Sequence, residues 1–241
     1  MVSNVASRWL STCALVATCA CGRFGFDVAS RSADATRATD ARPSSDAIGP
    51  TGDGALACSG QDSTVDLNAN GVADCAENLV GYGQFTSNAG PWSSGARATI
   101  AWTSNDARGL ASSGSVTVTD IVMSTTINGG SVTPSDCIVV APNTTYGIYT
   151  NYWMASGQPG GDGNNAAWIT LQTYTDPGCQ NPNSSVSGGA LGMTKDAWDL
   201  YVRTYLTLPT DRSMQLELGV LKGATTAAVA AQFDNVLIIA Q

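Results

Sequence analysis

The stretch Ala166–Tyr174, AAWITLQTY, sets Ile169 and Leu171 on alternate positions from Trp168, Thr170, Gln172 and Tyr174. Successive side chains of a strand point to opposite faces, so one face here is apolar and the other polar and aromatic. The strand SMQLELGVL (213–221) splits the same way, with Leu216, Leu218 and Val220 inward and Gln215 and Glu217 outward. Further short strands are read in GSVTVTD (114–120), SDCIVVAP (135–142), TYGIYTNYWMA (145–155), AWDLYVRTYLTLP (197–209) and AQFDNVLIIA (231–240). NLVGYGQF (78–85) reads as the start of the first strand, and the turn-rich pieces NGGSVTPS, SGQPGGDGNN and DPGCQNPNSSVSGG separate the later ones. This spacing predicts an all-β sandwich over residues 78–241.

The chain has 241 residues, is 43% hydrophobic and 12% charged, and carries a formal net charge of -8. Lys and Arg are scattered, so there is no electrostatic footprint for a phosphate backbone, and nucleic acid is not an expected partner. There is no histidine, which excludes Ser-His-Asp and Cys-His catalysis and His-ligated zinc. An enzyme built on this sequence would depend on carboxylates.

Residues 1–21 contain one early charge, Arg8, and then the apolar run WLSTCALVATCAC. The run is too short to span a membrane and reads as a secretory signal. Its end resembles a bacterial lipoprotein signal, which implies acylation of a cysteine that follows small residues. Cys21, preceded by Ala20 and followed by Gly22, is favoured over Cys19, and an ordinary cleaved signal is the alternative. The expected location is the cell surface or periplasm, with the membrane reached through a lipid anchor. Residues 22–57, mostly Ala, Ser, Thr, Asp, Arg, Gly and Pro, cannot bury enough apolar surface to offset their ordering entropy and read as a disordered tether. Its r.m.s. span is roughly 30 Å.

Four cysteines remain, Cys58, Cys75, Cys137 and Cys179. An even number in an exported chain points to two disulfides. Three connectivities are possible, and locality favours Cys58 with Cys75 and Cys137 with Cys179. The absence of a C-x-x-C pair among them argues against zinc.

In DLNANGVADCAENL, Asp66, Asn68, Asn70, the Val72 carbonyl, Asp74 and Glu77 fall on the ligand positions of an EF-hand loop, with Gly71 at the sharp turn. The flanks are not amphipathic helices. Residues 58–77 therefore resemble a short thrombospondin type 3 calcium repeat, which implies a structural calcium ion of weak, extracellular-module affinity. With no helix pair to open, a sensor role is not expected.

NLVGYGQF with GPW, SSGSVTV, TTYGIYTNYWMASG, AWDLYVRTYLTLP and FDNVLI together resemble the jelly-roll carbohydrate-binding modules of the family 4 and family 9 type. The resemblance implies a jelly-roll β-sandwich, a glycan partner and a second structural calcium held by Gln84, Gly114 and Asp234. Thr86 and Asn235 stand where that pattern commonly has acids.

Sugars offer flat C–H faces and many hydroxyls, so their sites need aromatic rings with amides or carboxylates beside them. Trp168, Gln172, Tyr174, Gln215 and Glu217 supply that mixture. Tyr149 and Trp153 also fall outward on their strand, about 13 Å apart, on a sheet that sequence does not assign. Trp92 and Trp198 are expected in the core. The expected function is that of a non-catalytic, monomeric lipoprotein that binds carbohydrate. The alternatives are a structural or adhesion lipoprotein and a carboxylate-dependent glycosidase. Asp106, Asp120, Asp162 and Asp199 fall in apparent loops and turns, and Glu217 has no evident partner acid.

Overall fold

A computed structural model describes residues 65–111, 113–133 and 136–241, with side chains for all of these except 184–191. Cys19, Cys21 and Cys58, the signal, and the tether lie outside the described residues.

Among the described residues, one helical turn, Asp74–Glu77, precedes eleven strands. They are β1 (Ser93–Ser94), β2 (Ala98–Thr103), β3 (Ser115–Asp120), β4 (Asn128–Thr133), β5 (Ile138–Val139), β6 (Thr145–Trp153), β7 (Ala166–Tyr174), β8 (Pro182–Gly192), β9 (Asp199–Leu206), β10 (Ser213–Lys222) and β11 (Val229–Ala240). The first sheet runs β1-β4-β10-β7-β8 with β5 paired to β10, and the second runs β2-β3-β11-β6-β9. Every pairing is antiparallel. The fold is the expected jelly-roll β-sandwich.

The alternation read in β7 and β10 is the one that builds the core. Ile169, Leu171, Leu216, Leu218 and Val220 face Val116, Val118, Ile148, Phe233, Val236 and Ile238 of the other sheet in one buried cluster. Each such side chain contributes roughly 1.5–3 kcal/mol by leaving water. At one end Lys222 and Asp120 are both fully buried, with Nζ and Oδ1 3.8 Å apart. Lys222 also donates to the carbonyls of Val122 and Ala227, so its buried charge has the partners that burial demands.

Three readings of the chain are corrected. NLVGYGQF is not a strand. Asn78 accepts from the amides of Val80 and Ile238 and donates to the carbonyls of Val80 and Val236, so a side chain takes the place of a ladder. Gly83 then passes so close to β11 that a Cβ would fall 1.9 Å from the Val236 carbonyl oxygen. NGGSVTPS contains β4, and DPGCQNPNSSVSGG runs into β8. Their Gly, Asn, Pro and Ser content reads as turn, yet each is paired along its length by a neighbour with stronger strand character.

The disulfide between Cys137 and Cys179, with a Cα separation of 5.8 Å, ties the segment before β5 to the loop after β7. Cys75 is also disulfide-bonded.

Candidate functional site

Strands β7 and β10 are neighbours, and their register sets Trp168 opposite Gly219, Thr170 opposite Glu217 and Gln172 opposite Gln215. Five of the expected sugar-contacting residues therefore share the outer face of one sheet. Ser131 of β4 continues that row beside Gly219. A Cβ on Gly219 would lie 2.3 Å from Cε2 and Nε1 of Trp168, and one on Gly129 would lie 3.4 Å from Nε1. The indole thus lies down across two strands, in space that only glycine leaves free. One side is packed on backbone, and the residue remains half-buried. Its Nε1 is buried without a hydrogen-bond partner among the described residues.

Beside the indole, Tyr174 donates its hydroxyl to Gln215 Oε1 at 2.8 Å, and Ser131 donates to Glu217 Oε2 at 3.4 Å. Burial, with added repulsion from Glu217 and Asp176, pushes the Tyr174 phenol upward, so it stays a neutral donor. Gln172 donates to the Thr173 carbonyl. The result is a flat ring flanked by amides, hydroxyls and one carboxylate.

Tyr149 and Trp153 belong to β6 in the opposite sheet, so they do not join Trp168. Tyr149 is 5% exposed and packs with Leu237 and Ile239. Trp153 is half-buried opposite Gln232.

The acidic positions form two groups. In the loop before the sandwich, Asp66 accepts from the amides of Asn70 and Gly71, and Val72 donates its amide to Asn70 Oδ1. Asn68 and Asn70 donate to the Glu77 carboxylate, and Asp74 accepts from Leu67. Burial, then repulsion from Asp66 and Glu77, raises the Asp74 carboxyl. Asp66 and Asp74 thus hold backbone amides of the twelve-residue loop and Glu77 holds its Asn side chains, and these carboxylates with the Asn amide oxygens are the kind of oxygen donors a hard cation takes.

The second group contains a residue that the sequence reading left in a loop. Asp234 is fully buried beneath the segment that follows β2, where the amide of Ala107 donates to its Oδ2 at 2.9 Å. Burial pushes its carboxyl up to about 7, and the facing Asp106 adds to the rise. Asp106 is itself buried and caps the amides of Arg108 and Leu110. The Gln84 carbonyl accepts from Ser113, and Gly114 is fixed by space, since a Cβ would meet the Thr103 carbonyl at 2.3 Å. Two facing buried carboxylates are oxygen donors of the kind a hard cation takes. Asn235 lies in the irregularity between Asp234 and Leu237 with φ +48°. That conformation is one that Asn and Asp adopt more readily than most residues. Thr86 is exposed. Among the described residues, no group of three or more His, Cys, Asp or Glu side chains is placed to hold a metal by itself, so carbonyls or amides would have to complete either site. The proximity of Asp106 had no local signal, because it depends on a contact spanning more than a hundred residues.

No protein-family model matches the sequence, and no curated protein sequence matches it. In three dimensions the chain is similar to the enzymatically active domain of tailspike protein 4 from bacteriophage CBA120, with a TM-score of 0.51 and 12% identity. That match covers 70% of this chain and 22% of the tailspike chain. The chain is also similar to a family 16 carbohydrate-binding module, with a TM-score of 0.45, 15% identity, and coverage of 67% of this chain and 99% of that one. A third likeness is to the CBM22-1 xylan-binding domain of Paenibacillus barcinonensis Xyn10C, with a TM-score of 0.42, 17% identity, and coverage of 66% and 90%. At these identities the likeness is one of fold.

Proposed function

We propose that the outer face of β7 and β10 binds carbohydrate and that the chain is a non-catalytic glycan-capturing lipoprotein. The observation that carries the reading is the Trp168 indole, laid flat over Gly219 with Gln172, Tyr174, Gln215 and Glu217 around it. A planar apolar surface ringed by amides, a hydroxyl and a carboxylate matches the mixed chemistry of a sugar.

The non-catalytic reading is supported by the placement of the acids. Hydrolysis of a glycoside requires two carboxyl groups flanking the scissile bond. Glu217 lies on this face and Asp176 stands near Tyr174 at its margin, where the amides of Gly178, Gln180 and Asn181 hold its carboxylate, whereas Asp106 and Asp234 face each other in the protein interior. Two structural calcium ions complete the reading, one in the Asp66–Glu77 loop and one at Asp106 and Asp234 with the Gln84 carbonyl. Acylation at Cys21, or at Cys19, would anchor the chain at the cell surface or in the periplasm.

A second reading, adhesion through protein contacts, is favoured by Leu200, Val202 and Leu206, which stand exposed along the edge strand β9. A glycan array with the purified chain separates the two. Binding that disappears in Trp168→Ala at an unchanged melting temperature supports carbohydrate capture, and silence across a broad array supports adhesion.

A further inference from the structure

A second aromatic site lies away from the sheet face, in the turns between the first helical turn and β1. Tyr82 is 56% exposed and stands between two cavities, of about 260 Å³ and about 190 Å³, that it lines together with Val80 and Gly81. Its ring is held in place. A Cβ on Gly90, which has φ +58°, would come within 2.8 Å of the Tyr82 ring, so the side chain rests directly on backbone. Below it, Trp92 donates its indole N–H to the Tyr82 carbonyl at 3.1 Å. Gly83 is pressed against Val236, and Phe85 is buried with φ +45°, a conformation an aromatic residue adopts only when its surroundings enforce it. The ridge is therefore rigid, and a ligand would not have to order it.

The lining of the larger cavity gives the ligand class. Its described polar residues are Asn78, Gln84, Thr86, Ser87 and Asn88, and none of its described residues is charged. Asn78 is consumed by backbone contacts. The Gln84 amide and the Thr86 hydroxyl make no hydrogen bond among the described residues. A cavity with amide and hydroxyl groups to offer and no charge does not repay the desolvation of a phosphate or carboxylate. It suits a neutral polyhydroxylated ring, with Tyr82 supplying the stacking surface. At about 260 Å³ it falls just under the roughly 300–1,000 Å³ of pockets for drug-sized ligands, which fits one sugar ring rather than a buried polymer. The smaller cavity, walled by Leu79, Pro91, Trp92 and Ile138 with Asp136 beside them, offers the other side of the ridge a mainly apolar surface.

We propose that the Tyr82 ridge is a second, independent saccharide site, which takes a single neutral sugar ring in the polar cavity. It does not depend on Trp168, so the two readings can fail separately. The test is saturation-transfer NMR and calorimetry with cellotriose, xylotriose and mannotriose, and with trigalacturonate as an acidic probe. The purified chain is compared with Trp168→Ala, Tyr82→Ala and Tyr82→Phe, each checked by its melting temperature. With at least one neutral trisaccharide, Trp168→Ala retains a weak event. Adding Tyr82→Ala weakens that event by about tenfold or more, whereas Tyr82→Phe, which keeps the ring, holds it within about threefold. Trigalacturonate gives no event at this site. Silence of Trp168→Ala with every neutral probe, survival of its event in the Tyr82→Ala background, or equal binding of trigalacturonate overturns the proposal. Binding lost in Tyr82→Ala and unaffected by Trp168→Ala would uphold the ridge and refute the sheet-face reading.

Discussion

Trp168 on one outer face of the sandwich and Tyr149 on the other occupy outward positions of nine-residue strands, yet Trp168 is half-buried and Tyr149 is 5% exposed. The difference comes from what stands beside each ring. Across the ladders from Tyr149 are Leu237 and Val202, and Ile239 joins Leu237 in its cluster. A Cβ on Gly147 would fall 2.6 Å from the Tyr149 ring, and Gln241 donates to the Tyr149 hydroxyl. Trp168 instead faces Gly219 on β10, with Ser131 beyond, so on that side its ring rests on backbone rather than on an apolar side chain. Alternation decides which face a side chain takes, and the neighbour across the ladder decides what its ring rests on.

Breaking the closed face has the largest expected effect. Asp234 binds a proton more readily in the folded chain, at about 7 against 3.8. Its favourable contribution is therefore complete below about pH 4 and is lost as the pH rises through about 7, on the order of 4 kcal/mol. In chelator the melting temperature should fall between pH 4 and 8, with the raised Asp74 adding to the slope in the same direction. Asp176, Asp196, Asp199 and Asp211 are lowered and lose their contribution only in stronger acid. Asp234→Asn should flatten most of the slope, and calcium should raise the melting temperature most at the alkaline end, by RT ln(1 + [L]/Kd). A flat pH profile in chelator, with no response to calcium, would count against the acidic pair as a cation site.

Tyr149→Ala is expected to cost about 3 kcal/mol in denaturant unfolding, because it empties a buried aromatic position, while leaving glycan binding unchanged. Trp168→Ala should do the reverse, with less than about 1.5 kcal/mol lost in stability and binding weakened by about 10- to 100-fold. The smallest effect belongs to Gly219→Ala. The added methyl would displace the indole, shift the Trp168 fluorescence and weaken binding by about threefold to tenfold, with stability within about 1 kcal/mol.

The strands with clean alternation, β7 and β10, were legible to within a residue, because their inward Leu, Ile and Val positions also drive the core. β2, β4 and β8 were not read as strands. The last two are rich in Gly, Ser and Asn, and their partners across the sheet rather than their own composition make them strands. The five residues on β7 and β10 were correctly read as outward, but their adjacency arises from a pairing between segments over forty residues apart, which no local pattern records. Asp106 and the Tyr82 ridge were invisible for the same reason, since each depends on contact with β11 or with turns that the sequence presents as a strand.

The central claim is tested most directly by the indole N–H resonances of the chain's six tryptophans during titration with neutral oligosaccharides, with Trp168→Ala to assign the key signal. The account predicts that the Trp168 resonance moves first and saturates, while those of Trp153 and Trp198 stay in place. A titration in which Trp168 is unmoved, or in which Trp153 moves instead, would contradict it.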